Sequence, residues 1–329
     1  MSLLTSAART VLSRVPSPVP RRQRRLTGQA ARVDTIPYAM PVSSEDSPVF
    51  MAAFPISLAA ARAVLPGREL HPVSLGFGKG VLVATVVNYR ATDIGQYIEY
   101  SLAIAVTQGP RPAPPLLPMA LMRTLHVGQY VVDLPVSTEV SVKGGKGIWG
   151  MPKHQASLDF VVTDTTVSAQ YDTLDGRFGA LVEIERPAPT GLPLKLAAAN
   201  YCAFRGQLMK STIYFEATGD VAVGPGAHAR IVLGDAPGVQ PLKALDIGRR
   251  PLFTAWLPTA HGVLDDHYEG WFLTGDTLPE VDADLASGRF GDPLESVVGL
   301  GRGETWPPPP DRTRPEVQPA ARTATGVTT

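Results

Sequence analysis

The segment KGGKGIWGMPKHQASLDF (143–160) concentrates side chains that could form a covalent bond with a substrate. The chain has seven lysines, and three of them, ending with Lys153, fall within eleven residues of this segment. Lys153 directly follows the rigid Pro152 and lies close to the apolar Trp149 and Met151. An ammonium group among apolar side chains loses hydration, which favours the free amine, and a free amine can attack a ketone to form a Schiff base. An exposed lysine in a Gly/Pro turn is the alternative interpretation.

The elements that must position Lys153 are mostly strands, because apolar and polar residues alternate over several short runs bounded by Gly, Pro or Asp. The runs cover residues 80–89, 98–108, 129–136, 156–172, 179–186 and 229–234. The clearest helical pattern is SLAAARAVLP (57–66), in which Ser57 is the expected N-cap and Pro66 ends the helix. Short strands at hairpin spacing with few helices predict a β-barrel or sandwich in a single domain, whereas a parallel α/β fold would need more helices.

Charge divides the chain into distinct regions although its net charge is zero. Residues 1–33 carry seven Arg and no acid, whereas residues 34–301 carry 27 acidic and 19 basic residues. We predict a disordered basic arm over residues 1–35, a folded domain over 36–300 and a disordered Pro-rich tail over 301–329. The expected location is cytoplasmic, with an organelle transit peptide as the alternative interpretation of the Arg- and Ser-rich start.

Composition and missing motifs exclude several classes of protein. With 44% hydrophobic residues, the chain is neither disordered throughout nor collagen-like. Its single cysteine, Cys202, excludes a disulfide framework and a four-cysteine zinc site. The signatures of nucleotide-binding loops, zinc proteases and α/β-hydrolases do not occur, and neither does an apolar run of about 18 residues that could span a membrane.

One further stretch contains several potential metal ligands. In AHGVLDDHYEGW, the residues His261 and His267 lie near Asp265 and Asp266. We expect this stretch to end in an exposed polar turn rather than to form a metal site, so no metal is expected.

Two ordered motifs resemble those of a known family. The first is GMPKHQASLDF (150–160), preceded by a GGKG turn, and the second is GQYIEYSLAIAV (95–106), in which Gly-x-Tyr-x-Glu leads into an apolar strand. Both resemble the acetoacetate decarboxylase family, and the resemblance runs over roughly residues 45–272. It implies that Lys153 forms the Schiff base and that Glu99 is the active-site carboxylate.

The resemblance also implies the fold and the assembly, and position along the chain adds further site residues. The implied fold is α+β and mainly β, a barrel- or cone-like domain with few helices, and the implied assembly is a homo-oligomer. Tyr97 is expected on the same strand face as Glu99, and Trp149 and Met151 beside Lys153. These three residues are therefore predicted to contact the substrate, and for Tyr97 a place in the hydrophobic core is the alternative interpretation.

The chain departs from the family pattern at several positions. His154 replaces the second Lys of the family's Lys-Lys pair, and its imidazole is predicted to exchange protons with the reaction intermediate. Alternation along a strand would instead turn His154 away from Lys153. The family's substrate-binding Arg falls near Ser47, where no Arg stands, and an acidic strand residue is replaced by Ala84. The guanidinium group of an Arg can donate two parallel hydrogen bonds to a carboxylate. Because this Arg is missing, we expect a substrate that is larger or less compactly anionic than acetoacetate.

The favoured function is therefore a cofactor-independent carbon–carbon lyase. It would form a Schiff base with a keto acid through Lys153 and then decarboxylate it or carry out aldolase or dehydratase chemistry. The alternative is a non-catalytic barrel protein that binds a hydrophobic small molecule. Nucleic-acid binding through the RRQRR cluster of the arm is a third hypothesis, but no aromatic residue is interleaved with the cluster, so no nucleic-acid partner is expected.

Overall fold

A computed structural model describes residues 9–20, 29–120, 127–204, 206–274 and 306–319. No helix in these ranges is both long enough and apolar enough to cross a membrane. The strands are β1 (Gln29–Val33), β2 (Ile36–Met40), β3 (Val42–Asp46), β4 (Val49–Ser57), β5 (Leu70–Pro72), β6 (Lys79–Tyr89), β7 (Ala91–Thr92), β8 (Tyr97–Gln108), β9 (Val127–Val136), β10 (Lys153–Leu158), β11 (Val161–Val162), β12 (Thr166–Thr173), β13 (Phe178–Glu185), β14 (Leu192–Phe204), β15 (Gln207–Val223), β16 (Ala229–Leu233) and β17 (Phe253–Phe272). From residue 29 onward the helices are α1 (Leu58–Val64), α2 (Leu117–Ala120), α3 (Glu139–Trp149) and α4 (Gln240–Lys243), with 3-10 turns at Gly224–Gly226 and Pro237–Val239.

Seven strands close into a barrel. Their order is β9, β14, β15, β17, β4, β6 and β8, and β8 pairs in turn with β9. Neighbouring strands are antiparallel except for β14 and β9, which run parallel. The prediction of a mainly β, barrel-like α+β fold is confirmed.

A side sheet branches from the barrel at β9. Strand β10 pairs in parallel with β9, with Lys153 opposite Leu134, and pairs antiparallel with β12 on its other side. Strands β13 and β16 continue this side sheet. A residue at the start of β10 therefore lies where the barrel and the side sheet meet.

The largest hydrophobic core lies between the barrel wall and the side sheet. It brings together Phe50 and Leu102 of the barrel with Leu158 and Val182 of the side sheet. Successive strand residues point to opposite faces. Alternate residues of β4, β6 and β8 therefore face this core, and the residues between them face the interior of the barrel.

Most elements expected from the sequence are present. The six predicted runs correspond to β6, β8, β9, the region from β10 to β12, β13 and β16, with bounds that differ by a few residues. Helix α1 begins after Ser57, whose hydroxyl accepts a hydrogen bond from the Ala60 N–H at 3.3 Å, and it ends before Pro66. A serine at this position satisfies one of the free N–H groups of the first helical turn.

The three longest strands, β14, β15 and β17, were not predicted. The prediction of an exposed polar turn at residues 260–271 is wrong, because this stretch is part of β17. Asp265 is buried there and accepts a hydrogen bond from the Tyr214 hydroxyl at 3.0 Å, which explains how an acidic residue is accommodated in the strand. The side chains of Asp266 and His267 lie outside the described residues.

The described terminal regions pack on the domain, which differs from the predicted disorder. Strands β1 and β2 form a hairpin, so the boundary predicted at residue 35 falls in its turn. In the predicted tail, Arg312 donates two hydrogen bonds of 2.6 and 2.7 Å to the carboxylate of Asp159, and Val317 is buried. Residues 306–319 are packed because their arginines pair with acidic residues of the side sheet and its connections.

Replacing Arg312 by Ala is expected to lower the free energy of unfolding by about 1–3 kcal/mol, because the largely buried Asp159 would lose its charged hydrogen-bond partner. Urea unfolding with an unchanged m-value would measure this loss. Arg177→Ala is the matched control and should leave the midpoint unchanged, since its partner Asp175 is exposed. Equal midpoint shifts in the two variants would contradict a stabilising role for the Arg312 pair.

Burial raises the pKa of seven of the nine tyrosines above its ordinary value of about 10. The main cause in each is that the phenolate would lose its hydration, and a nearby carboxylate strengthens the effect at several of them. These tyrosines are Tyr38, Tyr89, Tyr97, Tyr100, Tyr130, Tyr171 and Tyr201.

We expect these seven phenols to stay protonated in the native protein as the pH passes about 10. The unfolded chain then binds fewer protons than the native one, so the free energy of unfolding falls as the pH rises above that value. Phenolate absorbance, recorded alongside circular dichroism, should therefore rise together with unfolding, whereas in denaturant all the phenols titrate normally. Full titration near pH 10 with unchanged circular dichroism would contradict this expectation.

Candidate active site

The interior of the barrel contains a cavity of about 380 Å³, which is in the size range of small-molecule sites. Every one of the seven barrel strands contributes side chains to its lining, and α3 and the start of β10 close one side of it. Most of these side chains are apolar. Among the described residues that line the cavity, Lys153 and Glu99 are the only Lys, Arg, Asp or Glu.

Lys153 is buried and held by two polar contacts inside this cavity. Its Nζ lies 2.7 Å from Oε2 of Glu99 and donates a hydrogen bond of 2.9 Å to Oγ of Ser141. The same nitrogen lies 5.4 Å from the centre of the Tyr97 ring. The side chain of Lys153 is 5% exposed and that of Glu99 is 17% exposed, so little water screens their interaction.

Helix α3 fixes the stem of the lysine. Thr138 caps its N-terminus by accepting from the Ser141 N–H, and Gly150 ends it with a φ of +67°. The stem of Lys153 crosses the helix at Gly145, where an added Cβ would lie only 2.8 Å from Cε of the lysine. A glycine at this position is therefore required for the amine to reach Glu99.

A pair of tyrosines closes the cavity beside Glu99. The rings of Tyr89 and Tyr97 are stacked with their centres 4.4 Å apart. Burial, reinforced by the negative charge of Glu99, raises the pKa of both phenols well above the ordinary value. Tyr97 also shares a hydrogen bond with Ser141. Because the pKa of both phenols is raised, both tyrosines present neutral hydroxyl groups at physiological pH.

This arrangement combines a nucleophile with a group that can accept its proton. An amine attacks a carbonyl only after it has lost a proton, and Glu99 lies within hydrogen-bond distance of that proton. The mostly apolar walls offer few hydrogen-bond partners to water beside the reacting groups. The geometry is compatible with imine formation at Lys153.

Comparison with known proteins identifies the family. The acetoacetate decarboxylase (ADC) family matches residues 27–194 of the chain. The protein belongs to the acetoacetate decarboxylase family. The resemblance seen in the sequence is thereby confirmed, although the match begins earlier and ends earlier than the expected residues 45–272.

Several solved structures are similar to this chain at low identity. An acetoacetate decarboxylase from Legionella pneumophila subsp. pneumophila str. Philadelphia 1 is 15% identical, covers 82% of this chain and 97% of its own, and has a TM-score of 0.49. Another acetoacetate decarboxylase structure is 18% identical, with 71% and 90% coverage and a TM-score of 0.49. The enduracididine biosynthesis enzyme MppR with HEPES buffer bound is 14% identical, with 72% and 89% coverage and a TM-score of 0.48. No curated protein matches the sequence.

Five of the six predicted site residues lie together. Lys153 and Glu99 form the central pair, and Tyr97 packs beside them. Trp149 and Met151 are buried and line the same cavity, and the indole N–H of Trp149 donates to a main-chain carbonyl at 3.1 Å, which fixes its ring.

His154 is the exception. It follows Lys153 in β10 and points to the opposite face, as alternation along a strand requires. Its Nε2 lies 2.8 Å from Oδ1 of Asp133, whose other oxygen accepts a hydrogen bond from Tyr171, and it is not among the residues that line the cavity. The prediction that His154 exchanges protons with an intermediate is therefore corrected. His154 instead forms a hydrogen bond with the buried carboxylate of Asp133, outside the cavity.

The positions that depart from the acetoacetate decarboxylase pattern have different surroundings. Ser47 lines the cavity and shares a short hydrogen bond with Ser44, and no arginine lies among the described cavity residues. Ala84 is fully buried in the core on the other face of β6, so its side chain does not contribute to the cavity.

The sequence did not identify two polar residues of the site, Ser141 and Thr85, and the GGKG segment was assigned to the wrong element. Ser141 was not identified because its role depends on how α3 packs against β10. Thr85 lines the cavity, and its buried Oγ1 has no hydrogen-bond partner among the described residues. The GGKG sequence, expected to be a turn, is part of α3, and the apolar positions of this helix were the available signal.

Potential metal ligands do not cluster in the part of the chain that the structure describes, where no group of three or more His, Cys, Asp and Glu could hold an ion. His261 lines the cavity, and the side chain of its predicted companion His267 lies outside the described residues.

Replacing Gly145 by Ala is expected to destabilise the protein by about 1–3 kcal/mol, because the new methyl group would displace the buried Lys153. Whether the variant is destabilised or stabilised is informative, since Ala normally stabilises a helix relative to Gly by about 0.5–1 kcal/mol. Urea unfolding would measure the difference. Lys146→Ala, at the exposed neighbouring position of α3, is the control and should change little. A stabilised Gly145→Ala variant would contradict the close approach of the lysine.

Proposed function

We propose that the protein is a lyase that forms a Schiff base with a keto acid through Lys153 and needs no metal or organic cofactor. The observation that carries the proposal is the 2.7 Å contact between the buried Lys153 amine and Glu99 inside a cavity whose described lining is mostly apolar. Membership of the acetoacetate decarboxylase family supports a lyase of this kind.

The first step joins the amine to the substrate. Glu99 takes a proton from the Lys153 ammonium, and the free Nζ adds to the carbonyl carbon of the substrate. One proton moves from the added nitrogen to the former carbonyl oxygen, which becomes a hydroxyl group. Glu99 then returns its proton to that hydroxyl group, whose C–O bond breaks so that the oxygen leaves as water. The product is a protonated imine between Nζ and the former carbonyl carbon.

The protonated imine then accepts the electron pair of a breaking bond. In a β-keto acid, the bond to the carboxylate carbon breaks, carbon dioxide leaves and the pair moves through the new double bond to nitrogen, which gives a neutral enamine. Protonation of the enamine carbon and hydrolysis of the resulting imine release the ketone and regenerate Lys153. Aldol-type cleavage or dehydration would use the same imine as its electron acceptor.

The charge distribution of the cavity favours loss of a carboxylate. No arginine lies among the described lining residues, and Glu99 brings a second negative charge close to the reacting carbon. A substrate carboxylate would lose hydration in this environment without gaining the paired hydrogen bonds that an arginine side chain donates. Its departure as neutral carbon dioxide removes that charge.

Three neighbours of the pair are assigned positioning roles. Ser141 accepts a hydrogen bond from the amine and also bonds to Tyr97, so the direction of Nζ is set by a network rather than by Glu99 alone. Trp149 and Met151 supply apolar contacts for the non-reacting part of the substrate.

Borohydride trapping tests the proposal. Incubation with β-keto and α-keto acids followed by reduction should add to the peptide that contains Lys153 the mass of the acid, or of the ketone left after loss of carbon dioxide, less one oxygen atom. Lys153→Ala should abolish the adduct and Lys146→Ala, which changes an exposed lysine of α3, should retain it. Circular dichroism would verify that both variants are folded. Adducts of equal yield in Lys153→Ala would contradict the assignment of Lys153.

Replacing Glu99 by Gln is expected to slow adduct formation by about 10²–10⁴-fold, because the amide can hydrogen-bond to the amine but cannot accept its proton at neutral pH. Single-turnover trapping at several pH values would measure the rate. Glu69→Gln, a change at a carboxyl outside the cavity, should leave the rate unaltered. An unchanged rate in Glu99→Gln would exclude Glu99 as the proton acceptor.

A non-catalytic barrel that binds a hydrophobic small molecule is the second candidate function. It is favoured by the apolar cavity walls and by the absence of a cavity arginine among the described residues. Binding of an apolar ligand without trapping by any keto acid would support this function over the lyase.

A further inference from the structure

The cavity extends well beyond the reactive pair. Along β6, the inward-facing residues are Val87, Thr85 and Val83, and Val87 lies opposite Glu99 in the strand pairing. Val83 is four residues further along the strand, which corresponds to about 13 Å at ~3.3 Å per residue. A substrate that reached only the reactive pair would leave the remainder of the barrel interior unoccupied.

The part of the cavity remote from Lys153 is apolar on several sides. Its walls include Met51 of β4, Val83 of β6, Ala105 of β8, Val131 of β9 and Phe253 of β17. These strands follow one another around much of the barrel, so apolar side chains face the space from several sides. Ser101, Gln129 and Asn200 add polar groups to the lining, and Gln129 donates a hydrogen bond of 2.7 Å to Asn200. An unfilled apolar cavity lowers stability, whereas an apolar ligand that fills it gains the free energy of leaving water.

The charges of the cavity also favour an apolar ligand. The charges of Lys153 and Glu99 compensate each other at 2.7 Å, and none of the other described lining residues is a Lys, Arg, Asp or Glu. A compact dianion or a sugar phosphate would therefore find no second cation in the described part of the site. The walls instead match a carbon chain.

We propose that the substrate carries an apolar carbon chain that runs from Lys153 along the barrel interior, past Thr85, to the wall formed by Val83 and Val131. The inference rests on the proposed function for the position of the reacting carbonyl, next to Nζ of Lys153. The substrate class is accordingly a medium- or long-chain β-keto acid, and the length of the chain determines its affinity.

A homologous series of 2-alkanols, from 2-butanol to 2-decanol, tests chain recognition without requiring imine chemistry. Calorimetric titration should show Kd falling about fourfold for each added carbon until the cavity is filled, which corresponds to ~0.8 kcal/mol per buried methylene. A Kd that is independent of chain length, or no binding by the long alcohols, would overturn the proposal.

A variant that shortens the cavity tests where the chain lies. Val83→Phe should reduce the ratio of long-chain to short-chain affinity at least tenfold, since the larger side chain occupies the remote space. Val161→Phe, the same change at an exposed position of β11, should leave that ratio unaltered. If circular dichroism shows that Val83→Phe does not fold, Ala105→Leu makes the same test. An unaltered ratio in the folded variant would overturn the proposed position of the chain.

Trapping separates this inference from the proposed function. Borohydride reduction with the matching 2-alkanones reports on Lys153, whereas the alkanols contain no carbonyl group. Chain-length-dependent alkanol binding without trapping would support the chain site and contradict the lyase. Trapping that is equally efficient for all chain lengths would support the Schiff base and contradict the chain site.

Discussion

The buried contact between Lys153 and Glu99 constrains much of the structure around it. Each charge would be costly to bury alone, because removing one partner of a buried ion pair destabilises proteins by about 3–5 kcal/mol. The two groups are carried by β10 and β8, which do not pair with each other but both pair with β9. The register of these strands on β9 therefore decides whether the charges meet, and it places the pair where the barrel and the side sheet join.

Glycine at position 145 leaves the space that the Lys153 side chain needs to reach Glu99. The stem of Lys153 lies against α3 at Gly145, and Tyr38 lies against the same helix at Gly144. Glycine is unfavourable inside a helix, so these two glycines lower the local stability of α3 while they allow close packing. The helix in turn supplies Ser141, which fixes the direction of the amine. Local propensity and tertiary packing conflict here, as is common at functional sites.

The barrel keeps an open interior because its stability comes from elsewhere. The largest hydrophobic core packs the outer face of β4, β6 and β8 against the side sheet, and residues 306–319 add ion pairs to that sheet. The inward faces of the same strands then need not fill the barrel completely. Alternation along each strand thus divides its residues between a packed core and a ligand cavity.

The sequence by itself determined the strand-rich fold class, the helix capped by Ser57 and the two motifs that contain Lys153 and Glu99. These are local signals, since alternation, capping and motif order are written along the chain. It did not reveal β14, β15 and β17, in which apolar and polar residues do not alternate regularly, and it left the direction of His154 open.

Only the tertiary structure decided that His154 faces Asp133, that the GGKG segment is helical and that Ser141 reaches the amine. Each of these depends on the register and packing of elements distant in sequence, because the free energy that selects them comes from contacts that no local pattern contains.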